Sequence, residues 1–168
     1  MSSVELRPTQ DGDVPAMLAL VAACDETYRA WAPAGWEPPP PEAARWVSEL
    51  GAPDRWTRVA VEPDGRVVGF VSWGTARDEG PLEQPLVGVA HVGALFVHPD
   101  RWRRGIGERL LGAAVEAMRA AGYAHAQLNT PDGSPAERFY RALGWERDGR
   151  DGFHRVVGLM TVGYAREL

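Results

Sequence analysis

The chain of 168 residues contains no lysine, and all 18 of its basic residues are arginine. With 23 acidic residues the formal net charge is −5, a balance that argues against a general nucleic-acid binder. No apolar run approaches the roughly 20 residues that a membrane-spanning helix requires, so we expect no membrane partner. The N-terminus lacks the basic and apolar regions of a signal peptide. A single cysteine, Cys24, excludes an internal disulfide, and the default compartment is the reducing cytoplasm.

The length, the composition and the absence of repeats predict one domain over residues 1–168. Apolar runs and turn residues predict the element order β, α, α, β, β, β, α, β, α, β, β. Pro63-Asp64-Gly65 separates two β-branched runs and indicates an antiparallel hairpin. A helix between the strands that end at Val97 and Thr130 indicates a parallel pair. The sequence therefore predicts an α/β domain with a mixed, mostly antiparallel sheet, a parallel central strand pair and flanking helices.

Two segments are predicted to be irregular. The proline-rich connection from Trp31 to Pro41 is either a spacer between helices or a rigid aromatic wall beside a substrate cleft, with Trp31 and Trp36 facing inward. The polar, acidic segment from Thr75 to Val87 is predicted to be a mobile loop.

The stretch from His91 to Leu111 organises the rest of the chain. An apolar strand ends at His98-Pro99, a loop with several arginines follows, and a helix begins after Gly105-Ile106-Gly107. The first turn of a helix offers unpaired N–H groups and a favourable dipole to an anion, and glycine allows close approach to the backbone. Neither the P-loop nor the dinucleotide fingerprint matches this stretch. We therefore expect an anion site of another kind.

The segment from Val97 to Leu111 resembles the acyl-CoA pyrophosphate loop of the GNAT superfamily of N-acetyltransferases. That family has Gln/Arg-x-x-Gly-x-Gly/Ala after a Val-x-Pro strand end. Here Trp102 takes the usual Gln/Arg place, and Arg103 stands where glycine is frequent. The segment from Ser134 to Trp145 resembles a second family motif, although Gly133 stands in the place of the family's asparagine. With the element order, the resemblance covers nearly the whole chain.

The resemblance implies a GNAT fold and an acetyl-CoA-dependent N-acetyltransferase. It implies that the strand backbone pairs with the pantetheine arm, that an N–H group near Phe96 meets the oxyanion, and that the loop holds the pyrophosphate. For Arg103 and Arg104 a solvated surface role stays open, as does an exposed strand-end role for Asn129. The expected donor-binding residues are Leu95, Phe96, Val97, Trp102, Arg103, Arg104, Gly105, Ile106, Gly107, Glu108, Asn129 and Ser134.

Two side chains are candidates for proton transfer. The resemblance favours Tyr140 as the general acid that protonates the leaving thiolate, whereas Phe139 is expected in the core. His91 lies where the family often has a glutamate, and it could accept an ammonium proton through water. The alternatives are that His91 only packs, that an acidic residue of the 78–83 segment is the base, or that the amine binds with a lowered pKa and needs none. The remaining histidines lack ligand spacing, so we expect no metal.

The acceptor is expected to be a small-molecule or peptide primary amine, with Phe153-His154 among the residues around it. Because no cysteine is expected near the motifs, direct attack in a ternary complex is favoured over an acyl-cysteine intermediate. The alternative is a noncatalytic acyl-CoA-binding or sensing protein on the same fold. A homodimer is compatible with the sequence, since the apolar residues from Val156 to Val162 either pair across an interface or complete the sheet.

Overall fold

A computed structural model of the chain describes residues 3–40 and 42–168. Pro41, the last residue of the predicted proline-rich connection, lies outside the described residues, as do Met1 and Ser2. The elements are β1 (Glu5–Pro8), α1 (Val14–Thr27), α2 (Ala43–Leu50), β2 (Trp56–Val61), β3 (Val67–Arg77), β4 (Pro85–Val97), α3 (Ile106–Ala120), β5 (His125–Pro131), α4 (Ala136–Ala142), β6 (Glu146–His154) and β7 (Leu159–Glu167). This is the predicted order of strands and helices.

The seven strands form one sheet in the order β1-β2-β3-β4-β5-β7-β6. Only β4 and β5 are parallel, and every other neighbouring pair is antiparallel. The predicted α/β fold class, with its mixed sheet and parallel central pair, is therefore confirmed. Because β7 lies between β5 and β6, its buried residue Val162 completes the sheet.

The sheet carries a hydrophobic core on each face. On one face α3 and α4 pack against strand residues such as Val68 and Leu128. The predicted apolar stripe of α3 is buried there, and its members are Leu110, Leu111, Ala114, Val115 and Met118. On the other face Met17 and Leu20 of α1 and Trp46 of α2 pack against inner strand residues. Of the described residues, none belongs to a helix long and apolar enough to cross a membrane.

The segment from Thr75 to Val87 was expected to be a loop; this is correct for residues 78–84 and wrong for the three residues at each end. β3 and β4 pair as far as Arg77 and Pro85, and only the turn between these residues is irregular. The Asp78 carboxylate holds this turn because it accepts hydrogen bonds from the N–H groups of Gly80 and Gln84. Pairing with a neighbouring strand has overridden a polar, proline-containing composition.

The parallel pair separates part of the way along its length. β4 and β5 are paired only from Val89 to Val92 on the β4 side. β4 then runs on to Val97 beside β3 alone. At the point of separation the β3–β4 register shifts, so that Gly93 has no partner between Val92 and Ala94. A bulge of this kind bends the strand, and the sheet opens into a cleft between the two diverging strands.

Candidate functional site

The cleft ends at the loop before α3. Gly105 is the residue before the helix and has a φ of 76°. Arg103 also has a positive φ, of 61°. A Cβ on Gly107 would lie 3.3 Å from the Phe139 ring and 3.7 Å from the Val97 side chain. The first turn of α3, the end of β4 and α4 therefore meet at one point, where a side chain at residue 107 would crowd the Phe139 ring.

The arginines of this loop differ in their partners. Arg101 pairs with the buried carboxylate of Glu62 through two hydrogen bonds, of 2.8 and 3.1 Å. Arg103 and Arg104 are exposed, and within the described residues neither has a carboxylate in ion-pair range. Arg101 thus fixes the loop, while two guanidinium groups and the N-terminus of α3 stay available to an anion.

The carbonyl oxygen of Val97 already has two donors. The Trp102 indole N–H donates to it at 2.7 Å, and the Cys24 thiol donates at 3.2 Å. The expectation that no cysteine lies near the motifs is therefore wrong. Cys24 is buried, as expected of a core residue, and this burial raises the pKa of its thiol to about 12. A thiol held protonated is a poor nucleophile, so this contact does not favour an acyl-cysteine intermediate.

Tyr140 lies on α4 within an aromatic cluster. Its ring centroid is 5.3 Å from that of Phe139 and 6.1 Å from that of Tyr164. The residue is only 7% exposed, and burial raises the pKa of its phenol above the usual value. The Tyr140 hydroxyl therefore stays protonated throughout the range in which a protein works, and it remains able to donate a hydrogen bond.

Residues after the separation of the strands are held by their neighbours. The Asn129 side-chain oxygen accepts a hydrogen bond from Arg150 at 3.1 Å. Ser134 is buried, and its hydroxyl lies 3.3 Å from that of Thr130. Both are thus engaged within the protein rather than free in the cleft.

A cavity of about 300 Å³ lies on the α1–α2 face of the sheet and reaches the bulge. Its strand side includes His91, Gly93 and Ala94. Burial, followed by the nearby charges of Arg150 and Arg55, lowers the pKa of His91 to about 4. The imidazole is consequently neutral at physiological pH, and its buried Nδ1 has no hydrogen-bond partner among the described residues.

The Asp, Glu and Arg residues of the cavity are all absent from the sequence-based candidates, and they are Asp25, Glu42, Arg45, Glu49 and Arg55. Asp25 of α1 is 8% exposed, and burial raises the pKa of its carboxyl to about 6 although Arg45 opposes this rise. Arg55, which precedes β2, extends across the sheet towards Gly93. Glycine inside a strand often marks close approach of another group, and Gly74 and Gly93 were the available signal for Arg55.

The residues expected around the acceptor are divided between the cavity and its surroundings. His154 lines the cavity, whereas the adjacent Phe153 is exposed. Trp31 and Trp36 pack against Tyr28 in tilted contacts instead of lining the cavity, and the Trp36 indole donates to the Val157 carbonyl at 2.8 Å. This bond fastens the proline-rich connection to the β6–β7 turn.

The predicted acidic segment does not contribute to the cavity, because its residues form the distant β3–β4 turn. Over residues 3–40 and 42–168, no group of three or more His, Cys, Asp or Glu side chains is arranged to hold a metal ion.

Comparison with known proteins gives one family and many similar folds. The acetyltransferase (GNAT) family model matches residues 21–145. A search of curated proteins finds no significant match.

Three solved structures illustrate the likeness. A GNAT-superfamily phosphinothricin acetyltransferase from Sinorhizobium meliloti, in complex with acetyl-CoA, is 22% identical with a TM-score of 0.74, over 100% of this chain and 89% of that one. A PaiA N-acetyltransferase from Thermoplasma acidophilum, in complex with coenzyme A, is 16% identical with a TM-score of 0.67, and the match covers 96% of this chain and 98% of that one. The ribosomal-protein-S18-alanine N-acetyltransferase from Escherichia coli is 17% identical with a TM-score of 0.70, over 98% and 94%. At these identities the likeness concerns the fold.

Proposed function

The chain belongs to the acetyltransferase (GNAT) family, and from this premise we propose that it transfers the acetyl group of acetyl-CoA to a primary amine. The observation that carries the proposal is the separation of β4 from β5 beyond Val92, which opens a cleft leading to a basic loop. The cytoplasm remains the compartment that the sequence predicts.

The cleft suits the shape and charge of the donor. On the side that β5 has left, the β4 backbone from Gly93 to Val97 has no neighbouring strand among the described residues. An extended pantetheine arm carries amides that can pair with such an edge, as an added strand does. The pyrophosphate would then meet Arg103, Arg104 and the N–H groups at the start of α3. A pantetheine amide that used the Val97 oxygen would share it with Trp102 or displace the indole.

The reaction we propose is direct. The amine nitrogen attacks the thioester carbonyl carbon, and an N–H group of the open β4 edge, on the Gly93 side of Phe96, stabilises the oxyanion. The carbon–nitrogen bond forms first, and collapse of the tetrahedral oxyanion then breaks the carbon–sulfur bond. Tyr140 donates a proton to the departing sulfur and recovers one through solvent from the proton that the amine loses. Because burial also makes a thiolate more basic, a phenol with a raised pKa can still serve as the donor.

His91 is too weakly basic to be the group that deprotonates the amine, and we propose a smaller role for it. With its pKa lowered to about 4, its imidazole is a weak base towards an ammonium group. Asp25, whose pKa is raised to about 6, is the stronger base in the same cavity. We propose that the acceptor binds largely as the neutral amine and that His91 orients it through the unpartnered Nδ1.

The low basicity of His91 is also the observation that favours the alternative, a noncatalytic acyl-CoA-binding or sensing protein. Thermal denaturation with acetyl-CoA, combined with thiol detection in the presence of amine pools, separates the two. A ligand that binds only the folded state raises the melting temperature. We expect stabilisation by acetyl-CoA together with thiol release from at least one pool. Stabilisation without release from any pool would favour the sensor, and no stabilisation would refute donor binding.

The role of Tyr140 is tested by Tyr140→Phe. We expect a fall in kcat of about 100-fold or more, within the range typical of general acids, with the affinity for acetyl-CoA nearly unchanged. Tyr123→Phe is the matched control, because the Tyr123 hydroxyl bonds Thr75 outside the cleft. Equal turnover in the wild type and Tyr140→Phe would eliminate Tyr140 as the acid.

A further inference from the structure

We infer that the acceptor is an α-amino acid with a free carboxylate and that Arg55 binds this carboxylate. The inference rests on the proposed acetyl transfer and adds to it the class of acceptor. It starts from a guanidinium group lying at the bulge of β4, beside the point where the donor cleft and the cavity meet.

Two glycines make room for the Arg55 side chain. A Cβ on Gly74 of β3 would lie 3.4 Å from the Arg55 Cδ and 3.5 Å from its Nε. A Cβ on Gly93 would lie 2.9 Å from the Arg55 Nη1. The side chain therefore lies across the bare backbone of two adjacent strands, and its charged end reaches the residue at which β4 leaves the ladder.

Arg55 has no partner for its charge within the part of the chain that the structure describes. No carboxylate lies in ion-pair range of it, and its guanidinium makes no hydrogen bond. The other arginine of the cavity differs, since the Arg45 Nε lies 3.9 Å from Glu42 and 3.8 Å from Glu49. A guanidinium binds a carboxylate through two parallel hydrogen bonds. Arg55 lacks such a carboxylate within the described residues.

Position sets how far the carboxylate can be from the reacting amine. β4 rises about 3.3 Å per residue, so the edge from Val97 to Gly93 spans about 13 Å and takes up most of an extended pantetheine arm. The thioester would thus lie near Gly93, within a few ångströms of the Arg55 guanidinium. An acceptor that offers an amine to the thioester and an anion to Arg55 carries the two groups close together, as an α-amino acid does on its single Cα.

The rest of the cavity agrees with this orientation. On the helix side the three carboxylates of Asp25, Glu42 and Glu49 outnumber the one guanidinium of Arg45, so that an anion is directed to Arg55. Leu18, Val21 and other apolar residues are available to the side chain of the acceptor. A volume of about 300 Å³ lies at the lower end of the range for small-molecule sites, which suits a free amino acid better than a folded protein segment.

The test compares acceptors that differ only in the carboxylate. Initial rates of thiol release are measured with acetyl-CoA and each common L-amino acid, with the corresponding amino-acid carboxamide, and with short peptides. For the wild type we expect kcat/KM at least about 10-fold higher for the preferred acid than for its amide, the scale of one charge-assisted contact. Arg55→Met should reduce this ratio to near 1 by lowering the rate with the acid, while Arg55→Lys should restore part of it.

Arg58→Gln is the matched control, because it removes the same charge from β2, the strand that Arg55 immediately precedes. The Arg58 guanidinium stacks on Trp56, and Arg58 does not line the cavity, so the preference should be unchanged. The inference is overturned if acid and amide react equally in the wild type, if Arg55→Met slows both alike, or if only peptides or simple amines are acetylated. Failure of the proposed function differs, because acetyl-CoA would then neither raise the melting temperature nor release thiol.

Discussion

Arg103 illustrates how one dihedral angle relates to one residue type. Its φ of 61° is in the left-handed region, which a residue with a Cβ enters at a cost of about 1 kcal/mol and glycine enters freely. The resemblance to the GNAT loop places a frequent glycine at this position, and the backbone conformation gives the physical reason. Arginine accepts the strain and contributes a charge beside the expected pyrophosphate.

This strain is measurable by two substitutions that remove the same charge. Arg103→Gly should be more stable than Arg103→Ala by about 1 kcal/mol in the free energy of unfolding, because only glycine relieves the left-handed conformation. Both variants should bind acetyl-CoA more weakly than the wild type, by similar factors and with a shallower dependence on salt. Equal stabilities in denaturant unfolding would show that the loop carries no strain at this residue.

For single side chains, the sequence identifies those that belong to a local motif better than those that meet only in the folded protein. The glycines around Ile106 and the aromatic pair at Phe139-Tyr140 follow a local pattern and were found. Asp25 and Arg55 follow none, since each becomes notable only when a helix and a strand from distant parts of the chain line one cavity. For the same reason the contact of Cys24 with Val97 was not foreseen.

Among the elements, α4 is held at its start by a cluster of hydrogen bonds and ion pairs around the Glu137 carboxylate. The order Ser134, Pro135, Glu137 predicts a capping box, yet the Glu137 carboxylate accepts from the Gly133 N–H at 2.7 Å and from the Tyr164 hydroxyl at 2.6 Å. Arg147 of β6 also donates to it, at 2.6 Å. Burial alone would raise the pKa of Glu137, but these hydrogen bonds together lower it. One carboxylate thus ties α4 to β6 and β7.

Removing that charge should loosen the whole corner of the fold. Glu137→Gln leaves the half-exposed Arg147 with Asp132 as its remaining carboxylate, and we expect a loss of about 1 to 2 kcal/mol in the free energy of unfolding, measured with urea. Glu116→Gln is the control, because the exposed pair of Glu116 with Arg119 should contribute less than about 0.5 kcal/mol. A similar small loss in both variants would mean that packing alone holds α4.

The sequence predicts the order and type of the strands and helices better than the residues at which they begin and end. The order of all strands and helices follows from hydrophobic periodicity, and the parallel pair follows from the crossover helix. The ends of β3 and β4 and the length of β6 do not, because a strand continues wherever its neighbour offers hydrogen bonds. The site depends on the separation of β4 from β5. Apart from a glycine at the bulge, no sequence pattern predicts this separation.

For the whole molecule, two cavity residues act on stability with opposite signs as pH changes. The pKa of His91 is lowered from 6.5 to about 4, so between these values the unfolded chain binds more protons and stability rises with pH. The pKa of Asp25 is raised from 3.8 to about 6, so there the folded protein binds more protons and stability falls with pH. In the wild type these two contributions largely cancel.

Single substitutions should reveal each contribution. Relative to the wild type, Asp25→Asn should gain stability as pH rises from about 4 to 6, and His91→Gln should lose it, by up to about 3 kcal/mol in each case. Denaturant unfolding at several pH values measures how the free energy of unfolding of each variant changes with pH. A difference from the wild type that is the same at every pH reports lost packing, whereas a difference that changes with pH reports titration. Parallel curves for the wild type and both variants would show that neither group titrates with a shifted pKa.

The open edge of β4 also bears on whether this protein pairs with other polypeptides. A strand edge with free backbone groups pairs with any extended chain that reaches it, and most proteins cover or charge such edges. Here the edge from Gly93 to Val97 lies inside the sheet and is left uncovered by the departure of β5. An acyl donor seated there would serve as a removable strand as well as a reactant. When the donor is scarce, the backbone groups proposed to pair with pantetheine would be exposed to any extended polypeptide segment that enters the cleft.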